Sequence, residues 1–119
     1  MNYEASPIAC DMSAIPLGKR EAHLSTSKDL FSLIEEIREL ANGYAFRLTA
    51  EVGVLMKAAE FISLEKVCCP FLTFGLEVEA EGGPVWLSLT GREGVKAFIR
   101  EEVNGLLGVS IRFDKSDEL

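Results

Sequence analysis

Hydrophobic and polar residues alternate without interruption between positions 72 and 79. The apolar members of this segment are Leu72, Phe74, Leu76 and Val78. A period of two is typical of a β-strand with one buried face. The turn signal EGGP at 81–84 and the alternating segment VWLSLT at 85–90 then predict an antiparallel partner strand, so the region forms a β-hairpin.

The chain before this hairpin carries a different pattern. Apolar residues recur every three to four positions from Leu30 to Ala41, which predicts an amphipathic helix that begins at the N-cap Ser27 and stops at Asn-Gly, 42–43. YAFRLTA, 44–50, alternates again and predicts a half-buried strand. KREAHLS, 19–25, is compatible with a short strand.

Two more helices are predicted further along the chain. One runs from about Glu51 to Val67, because Pro70 forbids its continuation. The other opens at Thr90 and Glu93, which have the T-x-x-E spacing of a capping box. VSIRF, 109–113, alternates and predicts a last edge strand.

This order of elements predicts a small α+β fold, a two-layer sandwich in which about three helices cover a mainly antiparallel sheet. A length of 119 residues suits one domain and leaves no room for two independent cores. We expect an irregular N-terminal arm over 1–18, a single domain over 19–113 and a frayed acidic tail over 114–119.

Composition narrows the classes of function. The chain is 48% hydrophobic and 26% charged, which is typical of a packed globule. With 12 basic and 19 acidic residues the net charge is −7, and the absence of a basic stripe argues against nucleic-acid binding. No apolar run approaches the roughly 20 residues that cross a bilayer, so no membrane partner is expected. The N-terminus lacks a signal-peptide pattern, which predicts a cytoplasmic protein with reduced cysteines.

Glu65 is the unexpected residue of the second predicted helix. At about 100° per residue it projects from near the middle of the apolar face, and Cys68 and Cys69 follow at i+3 and i+4. The three side chains can therefore converge on one spot. A buried carboxylate costs several kcal/mol unless it is paired, protonated or bound to a metal. For a salt bridge, Arg47 and His23 are the expected partners.

The adjacent cysteines Cys68 and Cys69 allow three interpretations. They can share a soft or borderline metal ion such as Zn²⁺, Cu⁺ or Hg²⁺, with Cys10 or His23 completing the coordination. They can act as a redox or nucleophilic pair, although the negative end of a helix dipole disfavours a thiolate unless Lys66 offsets it. They can also pack as small apolar side chains.

The motif E-x-x-C-C-P-F, at 65–71, resembles that of a family of small bacterial proteins without an assigned reaction. The resemblance covers most of 8–103 and includes Cys-Asp at 10–11, Arg-x-x-His at 20–23 and the block VWLSLTGREGVKAFI. It implies a compact α+β protein, sometimes associated with heavy-metal resistance. The motif matches Glu65, Cys68 and Cys69 directly, and it extends to Cys10 and His23.

Together these observations predict a thiol-based protein that binds or senses a soft metal. The expected metal ligands are Cys68, Cys69, Cys10 and His23, and the supporting side chains are Glu65 and Arg47. The alternatives are a thiol-dependent oxidoreductase or small catalyst, and a non-catalytic homodimeric interaction module with structural cysteines. Cysteine sulfurs within about 4 Å of one another, open to a cavity, would favour a shared metal ligand.

Overall fold

A computed structural model of the chain describes residues 7–108. Seven helices and strands follow one another in chain order: α1 (Arg20–Phe31), β1 (Ile34–Leu40), β2 (Gly43–Leu48), α2 (Val54–Cys68), β3 (Thr73–Val78), β4 (Val85–Thr90) and α3 (Val95–Leu107). This is the small α+β fold that the sequence predicts. The predicted edge strand over 109–113 and the tail over 114–119 lie outside the described residues.

The four strands form one antiparallel sheet in the order β1-β2-β4-β3. Both β2 and β3 pair antiparallel with β4, so they run parallel to each other and α2 is the crossover that connects them. The predicted β3–β4 hairpin is confirmed. On the face of the central strands that lies beneath the helices, three pairs of buried residues are directly opposed: Tyr44 and Leu89, Phe46 and Leu87, Leu48 and Val85.

The predicted helix over 27–41 is wrong, because its second half is strand β1, which pairs with β2. The register shifts by a bulge, so that Ile34 lies opposite Leu48 and Ile37 lies opposite Phe46. Both isoleucines therefore face the same side of the sheet although they are three residues apart. The bulge adds one residue to β1, so two residues on the same face are three positions apart instead of two, which resembles the spacing of a helix.

The Asn-Gly signal that ends the predicted helix is instead the turn of a hairpin. Leu40 pairs with Gly43, which leaves Ala41 and Asn42 as a two-residue loop between β1 and β2. Two-residue loops are the common connection between antiparallel strands. Gly43 itself already belongs to β2, where a Cβ would collide with the backbone of Leu89.

The short strand predicted at 19–25 is also wrong, because this segment forms the first turns of α1. The buried residues of α1 are His23, Ser27, Leu30 and Phe31, at positions i, i+4, i+7 and i+8 of a helical face. Two of these four residues are polar, so a search for apolar periodicity does not detect this helix.

The second and third predicted helices are confirmed as α2 and α3. The capping box expected at Thr90 and Glu93 is wrong, because Thr90 belongs to β4 and no side chain caps α3. The N-cap of α3 is Gly94, whose φ of 99° is in the left-handed region that glycine adopts readily. Gly108, with φ of 67°, ends α3.

Residues 7–19 contain two short 3₁₀ turns and pack against the domain. Ile15 is fully buried, and the backbone N–H of Asp11 donates to the carbonyl oxygen of Cys68 at 2.9 Å. The backbone contact places the neighbouring Cys10 against the end of α2. None of the helices within residues 7–108 has the length and apolar character that a membrane span needs.

Candidate metal centre

The end of α2 presents two cysteine side chains at one point. Cys68 is the last residue of the helix, and Cys69 is its C-cap, with φ of −128° and ψ of 67°. The N–H of Cys69 donates to the carbonyl oxygen of Glu65 at 2.8 Å, so the final turn stays wound through the motif. Pro70 has no N–H with which to extend the helix. Local sequence therefore fixes the Glu65, Cys68 and Cys69 side chains on one side of the helix end.

The third thiol reaches this point from the N-terminal segment. The Cys10 thiol donates to Sγ of Cys68 at 3.2 Å, and Sγ of Cys68 lies 3.7 Å from Sγ of Cys69. All three sulfurs lie within 4.8 Å of one another, and all three residues are free thiols. Cys68 and Cys69 are fully buried, whereas Cys10 is half-buried. Access to the three sulfurs is therefore from the side of Cys10.

The Glu65 carboxylate joins these thiols to a histidine. Oε1 of Glu65 lies 2.8 Å from Nε2 of His23, and Oε2 accepts the Cys69 thiol at 3.4 Å. His23 is 3% exposed and Glu65 is 13% exposed. Of the two partners that the sequence suggests for Glu65, the carboxylate contacts His23, which comes from the buried face of α1.

Arg47 lies apart from this cluster. Its guanidinium contacts Glu35 at 3.3 Å and Glu36 at 3.4 Å, both on the neighbouring strand β1. Arg47 lies between Phe46 and Leu48, which face the helices, so its side chain points to the opposite side of the sheet. The expected pairing of Glu65 with Arg47 is therefore not formed.

Hydrogen bonds concentrate negative charge on one of the three sulfurs. The Cys69 thiol, whose single proton is shared between Oε2 of Glu65 and Sγ of Cys68, lowers the pKa of Cys68 to about 6. Hydrogen bonds from His23 and Cys10 also lower it, and together these effects outweigh burial. The hydrogen bond between Cys69 and Cys68, with burial, raises the pKa of Cys69. Burial and the neighbouring Cys68 raise the pKa of Cys10 to about 12. At neutral pH the site holds one thiolate and two thiols.

His23 is held both by its charge partners and by an aromatic ring. Burial lowers the pKa of His23, but its hydrogen bonds to Cys68 and Glu65 outweigh burial and raise that pKa to about 9. The imidazole stacks on Phe61, with ring centroids 5.8 Å apart and an angle of 19° between the planes. Its Nδ1 is buried and has no hydrogen-bond partner among residues 7–108. A carboxylate that holds one ring nitrogen while the other stays open is the usual arrangement around metal-binding histidines.

The potential ligand atoms form two overlapping sets. One contains the three cysteine sulfurs, and the other contains His23, Glu65 and Cys68, so Cys68 belongs to both. Sulfur and imidazole donors suit Zn²⁺, Cu⁺ and Hg²⁺, whereas Ca²⁺ and Mg²⁺ prefer oxygen. The donor chemistry is therefore that of a site for a soft or borderline ion.

An apolar channel reaches this cluster from the surface, and sequence reasoning did not find it. The channel has a volume of about 50 Å³ and is lined by Cys10, His23 and Glu65 together with apolar side chains of all three helices. In the sequence, the α3 residues that line it have the apolar spacing of an ordinary helix core, so they do not indicate a channel. The one signal is Glu102, a charged residue beside the apolar stripe of α3, which lines the channel and is exposed.

Comparison of the chain with protein-family models, with curated proteins and with solved structures finds no match. The function of the site therefore has to be argued from its own geometry and chemistry.

The distribution of charge predicts a pH titration. The ultraviolet absorbance of thiolate in the metal-free, reduced protein should rise with a midpoint near pH 6, because the pKa of Cys68 lies about there instead of at its usual 9.0. A Cys69→Ala variant removes the largest cause of this shift, and its midpoint should move upward toward the usual value. A midpoint that is the same in both proteins would contradict this origin of the thiolate.

Proposed function

We propose that this protein binds a soft or borderline metal ion through Cys10, Cys68 and Cys69. The observation that carries the proposal is the convergence of three free thiols within 4.8 Å of one another, although Cys10 and Cys68 are 58 residues apart in the chain. Packing alone requires only that cysteine side chains be buried. It gives no reason for three sulfurs to meet beside a histidine and a carboxylate.

The sulfur separations suit a shared ion. Two thiolates bound to one tetrahedral ion at about 2.3 Å lie ~3.8 Å apart. The Cys68 and Cys69 sulfurs are 3.7 Å apart, and the Cys10 and Cys68 sulfurs are 3.2 Å apart. An ion can therefore be taken up with small side-chain movements and without rearrangement of the helices.

The protonation states support the same function. A thiol must lose its proton to bind a metal, so metal affinity depends on how much deprotonation costs. Cys68 already carries the negative charge at neutral pH, because its pKa is about 6. Cys10 and Cys69 release protons when the ion binds, and so does His23, because its pKa of about 9 keeps it charged at neutral pH. The positive ion then replaces the hydrogen bonds of Cys10 and Cys69 to Cys68.

His23 and Glu65 complete the proposed site. The carboxylate of Glu65 fixes the orientation of the imidazole, and Nδ1 of His23 has no hydrogen-bond partner in residues 7–108. In this proposal His23 is the fourth ligand, and Glu65 sets its tautomer and orientation. Arg47 has no part in the site. The same ligands would serve a protein that only binds the ion and a protein that senses it.

A thiol-based oxidoreductase is the second candidate, because a thiolate and a thiol lie only 3.2 Å apart. In the first step the Cys68 thiolate would attack one sulfur of a small disulfide and expel a thiolate. The Cys10 sulfur would then attack Cys68 and release the second small thiol, which takes the Cys10 proton. Two protein thiols are oxidised and one disulfide is reduced. Full burial of Cys68 opposes the first step, since the attacking sulfur is out of reach of solvent.

Removal of the cysteine pair tests the metal function. Calorimetric titration of the reduced protein with Zn²⁺ or Hg²⁺ should show one tight site. The double variant Cys68→Ser, Cys69→Ser should lose more than about 100-fold in affinity. Loss of a residue that only orients a ligand already costs about 10–100-fold, and loss of two ligands costs more. Ser63→Ala, an exposed change on the same helix, should bind as the wild type does. Unchanged affinity in the double variant would refute the proposal.

Glu65 provides a second test, with a matched control. Glu65→Gln keeps the size of the side chain but removes the charge that orients His23, and metal affinity should fall about 10–100-fold. Glu60→Gln makes the same chemical change at an exposed position of α2 and should have no effect. Equal affinities in the two variants would show that Glu65 has only a structural part.

The redox candidate is tested by the rate of exchange. We expect Cys68 in the folded, reduced protein to react with a small disulfide more slowly than a free thiol does, because the sulfur is fully buried. Quenching followed by peptide mass analysis would follow the appearance of the Cys10–Cys68 disulfide. A rate above that of a free thiol would favour the oxidoreductase over the metal-binding protein.

A further inference from the structure

The apolar channel leads directly to the proposed metal ligands. Its buried end contains Cys10, His23 and Glu65, and its outer end contains Leu24, which is 49% exposed, and the exposed Glu102. Cys68 and Cys69 do not line it. A ligand that enters by the channel therefore meets the sulfur of Cys10 first.

The wall of the channel suits an apolar occupant. Apart from Ser27, whose hydroxyl donates to the carbonyl oxygen of His23, the rest of its lining consists of aromatic and aliphatic side chains, among them Phe31, Phe61, Phe98 and Val103. A water in a cavity needs two to four polar partners, which this wall does not supply. A fully hydrated ion would have to shed its shell against apolar surface, at a cost that nothing along the wall offsets.

Glu102 is the carboxyl that lines the outer end of the channel. Partial burial, with the nearby charge of Glu65 as a smaller cause, raises the pKa of Glu102 above its ordinary value. The carboxyl at the rim is thereby more readily neutral than a surface glutamate.

We propose that the site takes a soft metal ion that already carries one small apolar organic group, of the type R–M⁺. The metal binds the thiol cluster, and the organic group occupies the apolar channel. This inference rests on the proposed metal function and names the class of ligand. It accounts for two features together: the thiol cluster, which any soft ion would use, and the apolar passage that leads to it, which a bare ion would not need.

The binding step is a ligand exchange that leaves the metal–carbon bond intact. The incoming species R–M–X loses X⁻, and a bond forms between the metal and Sγ of Cys10. The proton of the Cys10 thiol passes to Sγ of Cys68, to which it is already hydrogen-bonded at 3.2 Å. No atom changes oxidation state, so no oxidant or reductant is required.

The volume of the channel limits the size of the organic group. An engineered apolar cavity of about 150 Å³ holds benzene. The channel has about one third of that volume, about 50 Å³, so a methyl or ethyl group fits inside it, whereas part of a phenyl ring would remain outside. The protein should therefore discriminate among organic groups by size.

Methylmercury, phenylmercury and Hg²⁺ are suitable probes, each measured by calorimetry in competition with a small thiol. In the wild-type protein, affinity relative to that thiol should be at least about tenfold higher for methylmercury than for phenylmercury. That selection needs no variant, so it tests the inference even if a substituted protein fails to fold. Equal relative affinities for the two organic ions would overturn it.

A variant that narrows the channel tests the location of the organic group. Leu106→Phe adds bulk at a half-buried channel residue and should lower methylmercury affinity at least about tenfold while leaving Hg²⁺ affinity unchanged. Leu55→Phe makes the same substitution at an exposed position of α2 and should change neither. Equal loss of both ions in Leu106→Phe, or no loss of either, would contradict occupancy of the channel.

These measurements separate the two proposals. If neither Hg²⁺ nor the organic ions bind through the thiols, the proposed metal function itself fails. If Hg²⁺ binds through the thiols but the organic ions show no selection by size, only the assignment of the organic ligand fails.

Discussion

The contact between Glu65 and His23 is the interaction on which the site depends. It joins α2 to α1 through a carboxylate and an imidazole that are 2.8 Å apart and almost entirely buried. Without His23, the carboxylate would be a buried charge beside two thiols, which is costly. With His23 in place, Glu65 can accept the Cys69 thiol and still keep a charged partner. The arm then closes the site by bringing Cys10 to Cys68.

The position of the thiolate shows how hydrogen bonds override a helix dipole. A thiolate at the C-terminal end of a helix faces the negative end of the dipole, which opposes ionisation. Cys68 occupies that end, yet its pKa is lowered to about 6, because Cys69, His23 and Cys10 all contribute hydrogen bonds to its sulfur. The charge is on a fully buried sulfur, and the half-buried Cys10 stays protonated. This arrangement protects the thiolate while leaving a route to it through Cys10.

Local spacing predicted part of this structure from the sequence alone. The β3–β4 hairpin and α2 follow from strict periods of two and about 3.6, and the convergence of Glu65, Cys68 and Cys69 follows from helical geometry. The α+β class followed from these elements. The first half of the domain was misread for two physical reasons. A bulge gave β1 the spacing of a helix, and two polar residues, His23 and Ser27, hid the buried face of α1.

The remainder of the site depends on packing between distant segments. His23 and Cys10 could be named as candidates, but their approach to Glu65 and Cys68 depends on how α1 and the arm pack against α2. The division of the three cysteines into one thiolate and two thiols depends on distances that no spacing encodes. Arg47 was a reasonable partner for Glu65 by charge, and strand alternation placed it on the other side of the sheet.

The central claim is that three cysteine sulfurs share one metal ion. X-ray absorption at the zinc edge of the metal-loaded wild-type protein measures this directly, because it counts the neighbours of the ion by element and distance. The account predicts a first shell dominated by three sulfur atoms at about 2.3 Å, with one nitrogen at about 2.0 Å. A first shell that contains only oxygen and nitrogen would contradict it.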